Sequence, residues 1–264
     1  MNHKLTAGRK KPVASFAVID ISCASQVLTK GNRTPTKTRS NTMDFTVTLL
    51  MSEFVTHDVK RFIVSKPKNF THEPGQGVEL AIDAPRWRDE EGRPFTPTSL
   101  PTDRVLEFTI KRYQDHQGVT AQLHTLAAGA ELLMSKPFGT IRYKGPGVFI
   151  AAGAGITPFL GILRQAAQQG GLQNQQLLLA NKTAADIICE KELRHYLGER
   201  CIFTLSREDV KGYRHGRISS TMLQETVSNF DRYFYVCGPD EFVEDMNRML
   251  KDFGAKPDLL VFEE

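Results

Sequence analysis

The chain has 264 residues, of which 40% are hydrophobic and 24% are charged, and this balance is typical of a globular protein with room for two domains. Its longest apolar run, residues 148–163, is shorter than the roughly 20 residues that span a bilayer, so no transmembrane segment is expected. The four cysteines lack the paired spacing of a zinc or iron-sulfur site. We therefore expect no metal site and a reducing compartment, the cytoplasm.

The N-terminal segment accounts for the positive formal charge of +4. Residues 1–42 hold eight Lys and Arg residues against the single acid Asp20, and without them 26 basic and 29 acidic residues remain. The folded body is mildly acidic, so no nucleic-acid partner is expected. The segment could be a basic transit peptide, but a disordered or non-native extension before Met43 is favoured.

Short strand-like segments fill the chain up to about residue 143. Six of them are rich in Val, Ile, Phe and Thr and are separated by Pro, Gly and Asp clusters, which predicts a small antiparallel β barrel over residues 43–143. The segments are FTVTLL, VKRFIVS, GVELAID, RPFTPTS, RVLEFTIKRY and ELLMS.

From residue 144 to residue 264, apolar strands alternate with helical patterns. This alternation predicts an α/β domain with a five-stranded, doubly wound parallel sheet. The strands are VFIAA, QLLLAN, CIFTLS, YFYVCG and LLVFE, and the helices lie near residues 157–169, 190–197, 221–227 and 241–253.

The stretch between the first of these strands and its helix is rich in glycine. Gly153 and Gly155 allow a tight turn and a close approach to a ligand, while the N–H groups and the dipole of the following helix favour an anion. Thr157 is predicted as the N-cap and Pro158 as the first helical residue. The pattern indicates a pyrophosphate cradle, with a plain strand-to-helix turn as the alternative.

Four stretches, in a fixed order, resemble those of the ferredoxin-NADP reductase family. They are RPFTPTS at residues 93–99, DHQGVTAQLH at 115–124, GAGITPF at 153–159 and YVCGPD at 235–240. The domains that carry them cover nearly all of residues 44–264. The resemblance implies an FAD-binding barrel followed by an NAD(P)-binding domain.

The resemblance implies that FAD binds to the barrel. Arg93 would pair with the FAD pyrophosphate, Phe95 would pack on the isoalloxazine in place of the more usual tyrosine, and Thr96 would hydrogen-bond to flavin N5. The helix start in the second stretch would bind the FAD phosphates through its amides, with a hydroxyl from Thr120. The other residues assigned to this site are Thr98, Gly118, Val119 and Ala121.

By the same resemblance, NAD(P)H lies across the glycine loop and the Cys-Gly-Pro turn of Cys237, Gly238 and Pro239, where the cysteine sits by the nicotinamide. The last strand runs into Glu263 and Glu264, which are expected near the flavin edge, where a carboxylate could relay a proton. A solvated chain end is the alternative. The residues assigned to catalysis are Thr96, Cys237 and Glu263.

The choice of coenzyme is expected in the loop after the third parallel strand. A 2′-phosphate needs cations and hydroxyls, which Ser206, Arg207 and Lys211 supply, and Tyr213 could stack on adenine. The acidic residues 208–209 oppose an extra phosphate. On balance the loop favours NADPH over NADH.

The predicted activity is that of a flavoprotein reductase that passes electrons from NADPH or NADH through FAD to a separate acceptor. The chain has no C-x4-C-x2-C cluster motif, so a separate acceptor is expected. The resemblance implies a flavodoxin or a ferredoxin, and a free flavin, a quinone or a cytochrome could be reduced by the same core. A monomer is expected. Two alternatives stay open: a regulatory module that binds FAD and nucleotide without turnover, and an electron-transfer subunit of a larger complex.

Overall fold

The computed structural model describes residues 43–87, 92–113, 118–139 and 141–262. The predicted N-terminal extension, residues 1–42, lies outside these ranges. Within them, the strands form two sheets of six strands each. None of the helices in the same ranges combines the length and the hydropathy that a bilayer span requires.

The first sheet is antiparallel and contains all six strands predicted for the barrel. They are β1 (Met43–Phe54), β2 (Val59–Ser65), β3 (Val78–Ile82), β4 (Arg93–Phe95), β5 (Val105–Lys111) and β6 (Glu131–Ser135). Their order across the sheet is β4-β3-β6-β1-β2-β5. A bridge between Pro97 and Phe108 joins the chain just after β4 to β5, so the sheet closes almost completely into a barrel.

Alternating side chains fill the interior of this barrel. In β2, Phe62 and Val64 are buried, whereas their neighbours along the strand are half-buried. Successive side chains of a strand point to opposite faces, so one face of each strand supplies the core. A short helix, α1 (Val119–Leu123), packs on the same core through its first and last residues.

The second sheet is parallel and contains the five predicted strands and one more. They are β7 (Gly147–Ala152), β8 (Gln176–Asn181), β9 (Cys201–Leu205), β10 (Arg214–His215), β11 (Tyr233–Cys237) and β12 (Leu260–Phe262). The order is β10-β9-β8-β7-β11-β12. The additional strand, β10, has two residues and pairs with the end of β9, and its sequence is too short for an apolar pattern.

Helices cover both faces of the parallel sheet, as predicted. They are α2 (Thr157–Gln168), α3 (Glu190–Leu197), α4 (Ser220–Thr226) and α5 (Asp240–Asp252). In β7, Phe149 belongs to a core shared with α2 and α3, while its neighbour Ile150 belongs to a core shared with α4 and α5. Burial on both faces explains why these strands are continuous apolar runs in the sequence.

A buried tyrosine fixes the chain where it enters the parallel sheet. The hydroxyl of Tyr235 accepts hydrogen bonds from the amides of Lys144 and Gly145, each at 3.0 Å, and donates to the Gly145 carbonyl at 2.7 Å. Burial raises the pKa of this hydroxyl to about 12. The tyrosine therefore stays neutral and anchors the segment that links β6 to β7.

Candidate functional site

The glycine loop lies at the carboxyl end of β7, where the strand order of the sheet reverses and open α/β sheets bind ligands. Residues Gly153–Ile156 form a 3-10 turn that continues directly into α2. Gly153 has a φ angle of 54°, which favours glycine, and open space lies where a Cβ atom would be. The backbone of the loop is therefore accessible to a ligand.

The prediction that Thr157 is the N-cap of α2 is wrong. Its φ and ψ angles, −60° and −41°, are helical, and its hydroxyl donates to the Ala154 carbonyl at 2.9 Å instead of accepting from an amide. The preceding 3-10 turn already starts the helical path, so a cap at this position has no function. Pro158 accordingly is the second residue of α2, not the first.

The Cys-Gly-Pro turn after β11 lies directly beside the glycine loop. The strands β7 and β11 are paired, with Ala151 opposite Cys237. A Cβ atom on Gly155 would collide with the carbonyl of Cys237, and one on Gly238 would lie 3.1 Å from the Cβ atom of Ala152. Glycine at both positions therefore lets the two turns interlock, which brings the buried Cys237 to the loop.

Asn181, which the sequence analysis missed, lies between the glycine loop and the loop after β9. It ends β8, and its backbone carbonyl accepts the Ser206 amide at 3.0 Å. The residue is only 8% exposed, and within the described ranges neither side-chain amide atom has a hydrogen-bond partner. Because buried polar atoms are nearly always hydrogen-bonded, this side chain is suited to bind a ligand. The sequence signal that could have identified Asn181 is its place at the carboxyl end of a predicted parallel strand.

The loop predicted to select the coenzyme is exposed. The side chains of Ser206, Arg207 and Lys211 face solvent, and the Arg207 amide is fixed by the Lys182 carbonyl at 2.8 Å. Among the residues that the structure describes, no hydrogen bond or ion pair engages the Arg207 and Lys211 side chains. Both cations are therefore available to an anion.

Two other residues of this loop are held by protein contacts. The Tyr213 hydroxyl donates to Glu190 at 2.8 Å, and the guanidinium of Arg194 lies 5.3 Å from its ring centroid. Since a cation covers one face, only the other face of the ring could stack on adenine. Glu208, expected to oppose a phosphate, accepts the Ala184 amide at 2.8 Å, which partly offsets its charge.

The residues predicted to bind flavin lie on β4 and just after it. Arg93 and Phe95 are half-buried, and Thr96 is buried. Within the described part of the chain, the Arg93 guanidinium has neither a hydrogen-bond nor an ion-pair partner. A half-buried guanidinium without a partner fits the binding of a pyrophosphate.

Thr98, assigned to the same site, has its hydroxyl engaged within the protein. It is fully buried, and its hydroxyl donates to a carboxylate oxygen of Glu107 at 2.7 Å. Its carbonyl accepts from Arg164 of α2 at 2.7 Å. The structure thus places Thr98 in the contact between the barrel and the parallel sheet.

The second stretch predicted to bind FAD coincides with the start of α1. Gly118 is the N-cap residue, its backbone is extended, and nothing lies within 4 Å of the position of a Cβ atom. The side chain of Val119 is in the barrel core, so this residue can contact a ligand only through its main chain. Thr120 and Ala121 are half-buried, and residues 115–117 lie outside the described ranges.

The predicted catalytic residue Glu263, and Glu264 after it, also lie outside the described residues. Their proposed position near the flavin edge therefore stays a prediction. The last described strand, β12, ends at Phe262 and pairs with β11, which carries Cys237.

A second contact between the two halves involves a group of potential metal ligands. Atoms of His57, Asp58 and Asp186 lie within 4.8 Å of one another. The ammonium of Lys111 is 2.8 Å from Asp58, and Asp186 accepts the Thr183 amide at 2.8 Å. Both carboxylates therefore have protein partners, and the group joins the turn between β1 and β2 to the segment after β8.

Comparison with known proteins gives a consistent result. Residues 149–248 match the family model of the oxidoreductase NAD-binding domain. The chain is 26% identical over 221 residues to the ferredoxin–NAD(P)(+) reductase component of the naphthalene 1,2-dioxygenase system of Pseudomonas putida, with 80% of this chain and 66% of that protein covered. It spans 63% of a similar component from Ralstonia sp, so it covers just under two thirds of these relatives.

Solved structures share the whole architecture. The CS-b5R domains of human Ncb5or in the NAD+ form are 28% identical with a TM-score of 0.72, covering 82% of this chain and 68% of that chain. A ferredoxin NADP+ reductase from Neisseria gonorrhoeae with bound FAD and NADP has the same fold, with a TM-score of 0.70 at 19% identity and coverage of 81% and 94%. The chain is thus similar to the ferredoxin-NADP reductase family of flavin- and NAD(P)-dependent oxidoreductases, with a barrel of the FAD-binding kind and a parallel sheet of the NAD-binding kind.

Proposed function

We propose that the protein passes electrons from NAD(P)H through bound FAD to a separate acceptor. The observation that carries this proposal is the close contact between the glycine loop and the Cys-Gly-Pro turn. The glycine loop leads directly into α2, and this helix packs against residues 93–99, the stretch predicted to bind flavin. A Cβ atom on Gly161 of α2 would lie 3.5 Å from the Pro97 carbonyl. One helix therefore links the nucleotide cradle to the chain that follows β4.

In this proposal the barrel holds FAD, with Arg93 on the pyrophosphate, Phe95 against the isoalloxazine and Thr96 at the flavin nitrogen. The lack of a partner for the Arg93 guanidinium among the described residues and the open space at Gly118 support it. When bound, FAD accepts a hydride and releases its electrons to an acceptor. The domain boundary belongs to the same proposal and falls near residue 144, between the end of β6 and the start of β7.

The coenzyme is proposed to bind at the carboxyl edge of the parallel sheet. Gly153 and Gly155 would cradle the pyrophosphate, Asn181 would donate to or accept from the nucleotide, and Cys237 would lie by the nicotinamide. The two exposed cations at positions 207 and 211 favour NADPH.

We propose a ferredoxin- or flavodoxin-type protein as the acceptor, reduced by a monomer in the cytoplasm. The names of the two relatives that are reductase components of dioxygenase systems support a ferredoxin. A b5-type cytochrome is the second candidate, because human cytochrome b5 reductase 4 is 28% identical over 235 residues. Assays with a ferredoxin and with cytochrome b5 as sole acceptor separate the two.

The central test is the anaerobic addition of coenzyme to the purified, flavin-loaded protein. We expect the flavin absorbance to bleach with NADPH, and to bleach more slowly with NADH at the same concentration. A protein that binds FAD but is not reduced by either coenzyme would be a regulatory module instead. Faster reduction by NADH would refute only the preference for NADPH and would leave the proposed reductase activity in place.

Coenzyme selectivity is expected to depend on Arg207 and Lys211. The double substitution Arg207→Ala with Lys211→Ala should raise the KM for NADPH about 10- to 100-fold and change the KM for NADH less than about threefold, because only NADPH presents the 2′-phosphate. Steady-state kinetics with both coenzymes measures this. Arg248→Ala, on the exposed face of α5, is the control. Equal losses with both coenzymes would mean that the loop is only structural.

A further inference from the structure

Arg164 connects three elements across the contact between the two halves. It lies in α2, and its side chain is only 16% exposed. Its Nε and Nη2 atoms donate to the two carboxylate oxygens of Glu192 in α3, at 2.6 and 2.9 Å. Its Nη1 atom donates to Glu107 of β5 at 2.5 Å and to the Thr98 carbonyl at 2.7 Å. Four of the five donor hydrogens of the guanidinium thus have assigned acceptors.

One of the two barrel residues that bind Arg164, Thr98, belongs to the stretch at residues 93–99 that is assigned to the flavin. Thr98 lies two residues after Thr96, which is assigned to the flavin. The Thr98 amide donates to the Glu107 carbonyl at 2.7 Å, and its hydroxyl donates to the Glu107 carboxylate at 2.7 Å. Because these bonds hold the main chain as well as the side chain, Arg164 is linked through Thr98 and Glu107 to the segment that follows β4.

The charges of this network are matched. The guanidinium lies between the carboxylates of Glu107 and Glu192, and Arg61 approaches Glu107 from the other side, at 3.7 Å. Burial disfavours the charge of Arg164, but the hydrogen bond to Glu192 and the charge of Glu107 outweigh burial and raise its pKa. The same hydrogen bond lowers the pKa of Glu192, against the effect of burial. Arg164 and Glu192 therefore stay charged, and charged hydrogen bonds in a largely buried network hold one geometry.

We propose that Arg164 is a positioning residue that sets the placement of the coenzyme relative to the flavin. The inference rests on the proposed function. The helix that carries Arg164 begins at the glycine loop, and Arg164 lies about two turns after Thr157. Arg164 acts through Thr98 and Glu107 on the strand assigned to FAD. Since a misplacement of about 1 Å can slow a reaction about 100-fold, a fixed link between the two cradles has a direct effect on the rate.

The test compares Arg164→Gln and Arg164→Lys with the wild type and with Arg248→Gln, a change of an exposed arginine that pairs with Asp245. Flavin-loaded proteins are mixed with the preferred coenzyme in an anaerobic stopped-flow instrument. The limiting rate of flavin reduction per bound flavin and the apparent Kd of the coenzyme are measured. A second readout, independent of turnover, is the long-wavelength charge-transfer absorbance of photoreduced protein with the oxidised coenzyme, which reports stacking of the two rings.

Arg164→Gln is expected to lower the limiting rate about 10- to 100-fold and to weaken the charge-transfer absorbance, while the Kd changes less than about twofold. Arg164→Lys should recover part of both signals, and Arg248→Gln should match the wild type. A role in stability alone would lower the flavin content or the melting temperature but leave the rate per bound flavin unchanged.

A wild-type limiting rate and a full charge-transfer absorbance in Arg164→Gln would overturn the proposal. If this variant retains too little flavin, Glu107→Gln is measured in the same way, because it keeps the shape of the network and the pair of Arg164 with Glu192. A loss of about three- to tenfold is expected there, and an unchanged rate overturns the proposal equally. If the wild type itself is reduced by neither coenzyme, the proposed function fails, and the inference fails with it.

Discussion

Replacing Gly155 with alanine is expected to slow the reduction of bound flavin by coenzyme at least about 100-fold, without loss of FAD. The added Cβ atom would overlap the carbonyl of Cys237 and lie 2.9 Å from the amide nitrogen of Gly238. Backbone atoms cannot rotate away, so the two turns must separate. Such overpacking costs about 1–3 kcal/mol of stability, and the displaced cradle no longer holds the coenzyme in its reactive position. FAD content should persist, because the collision involves the parallel-sheet half only.

Gly171→Ala is the matched control for this substitution. It adds the same methyl group just after α2, where the nearest heavy atom would be 3.6 Å away, an ordinary van der Waals contact. Flavin absorbance per protein, thermal unfolding and anaerobic stopped-flow reduction are measured for both variants. A wild-type reduction rate in Gly155→Ala would show that the coenzyme does not need the close contact of the two turns.

Much of the fold could be predicted from the sequence because its signals are local. Each strand of the barrel is a short run of β-branched and aromatic residues between turn residues, and each parallel strand is an apolar run. These runs predict five of the six parallel strands, and helical spacing of apolar residues predicts the four longer helices. β10 was missed because a pairing of two residues leaves no periodic pattern.

The parts that could not be predicted depend on contacts between distant residues. Arg164 binds Thr98, 66 residues earlier, and Glu107, 57 residues earlier, and neither pairing has a local signature. The Thr98 hydroxyl is engaged by the carboxylate of Glu107, nine residues later in the barrel, and the strand alternation alone does not indicate this bond. The mistaken N-cap at Thr157 has a different cause, since the rules for caps assume an extended chain before the helix and here a 3-10 turn precedes it.

Arg93→Ala is expected to purify with little FAD and to bind added FAD about 10- to 150-fold more weakly. The reason is the loss of a charge-assisted hydrogen bond to the pyrophosphate, which is worth about 1.5–3 kcal/mol. The FAD affinity of Arg93→Lys should fall between those of the wild type and Arg93→Ala, because an ammonium keeps the charge but lacks the planar fork of donors. The measurement is titration of the flavin-free protein with FAD, followed by the change in flavin fluorescence.

Arg104→Ala, an exposed arginine in the loop before β5, is the control and should bind FAD like the wild type. Full FAD occupancy in Arg93→Ala would contradict the assignment of β4 to the pyrophosphate. The Arg93→Ala and Gly155→Ala variants together test whether the two cofactors bind to different halves. If one substitution removes FAD while the other keeps FAD and removes its reduction, then the barrel and the parallel sheet each hold one cofactor. The rate of electron transfer then depends on the contact between the two halves. Arg164 lies in that contact.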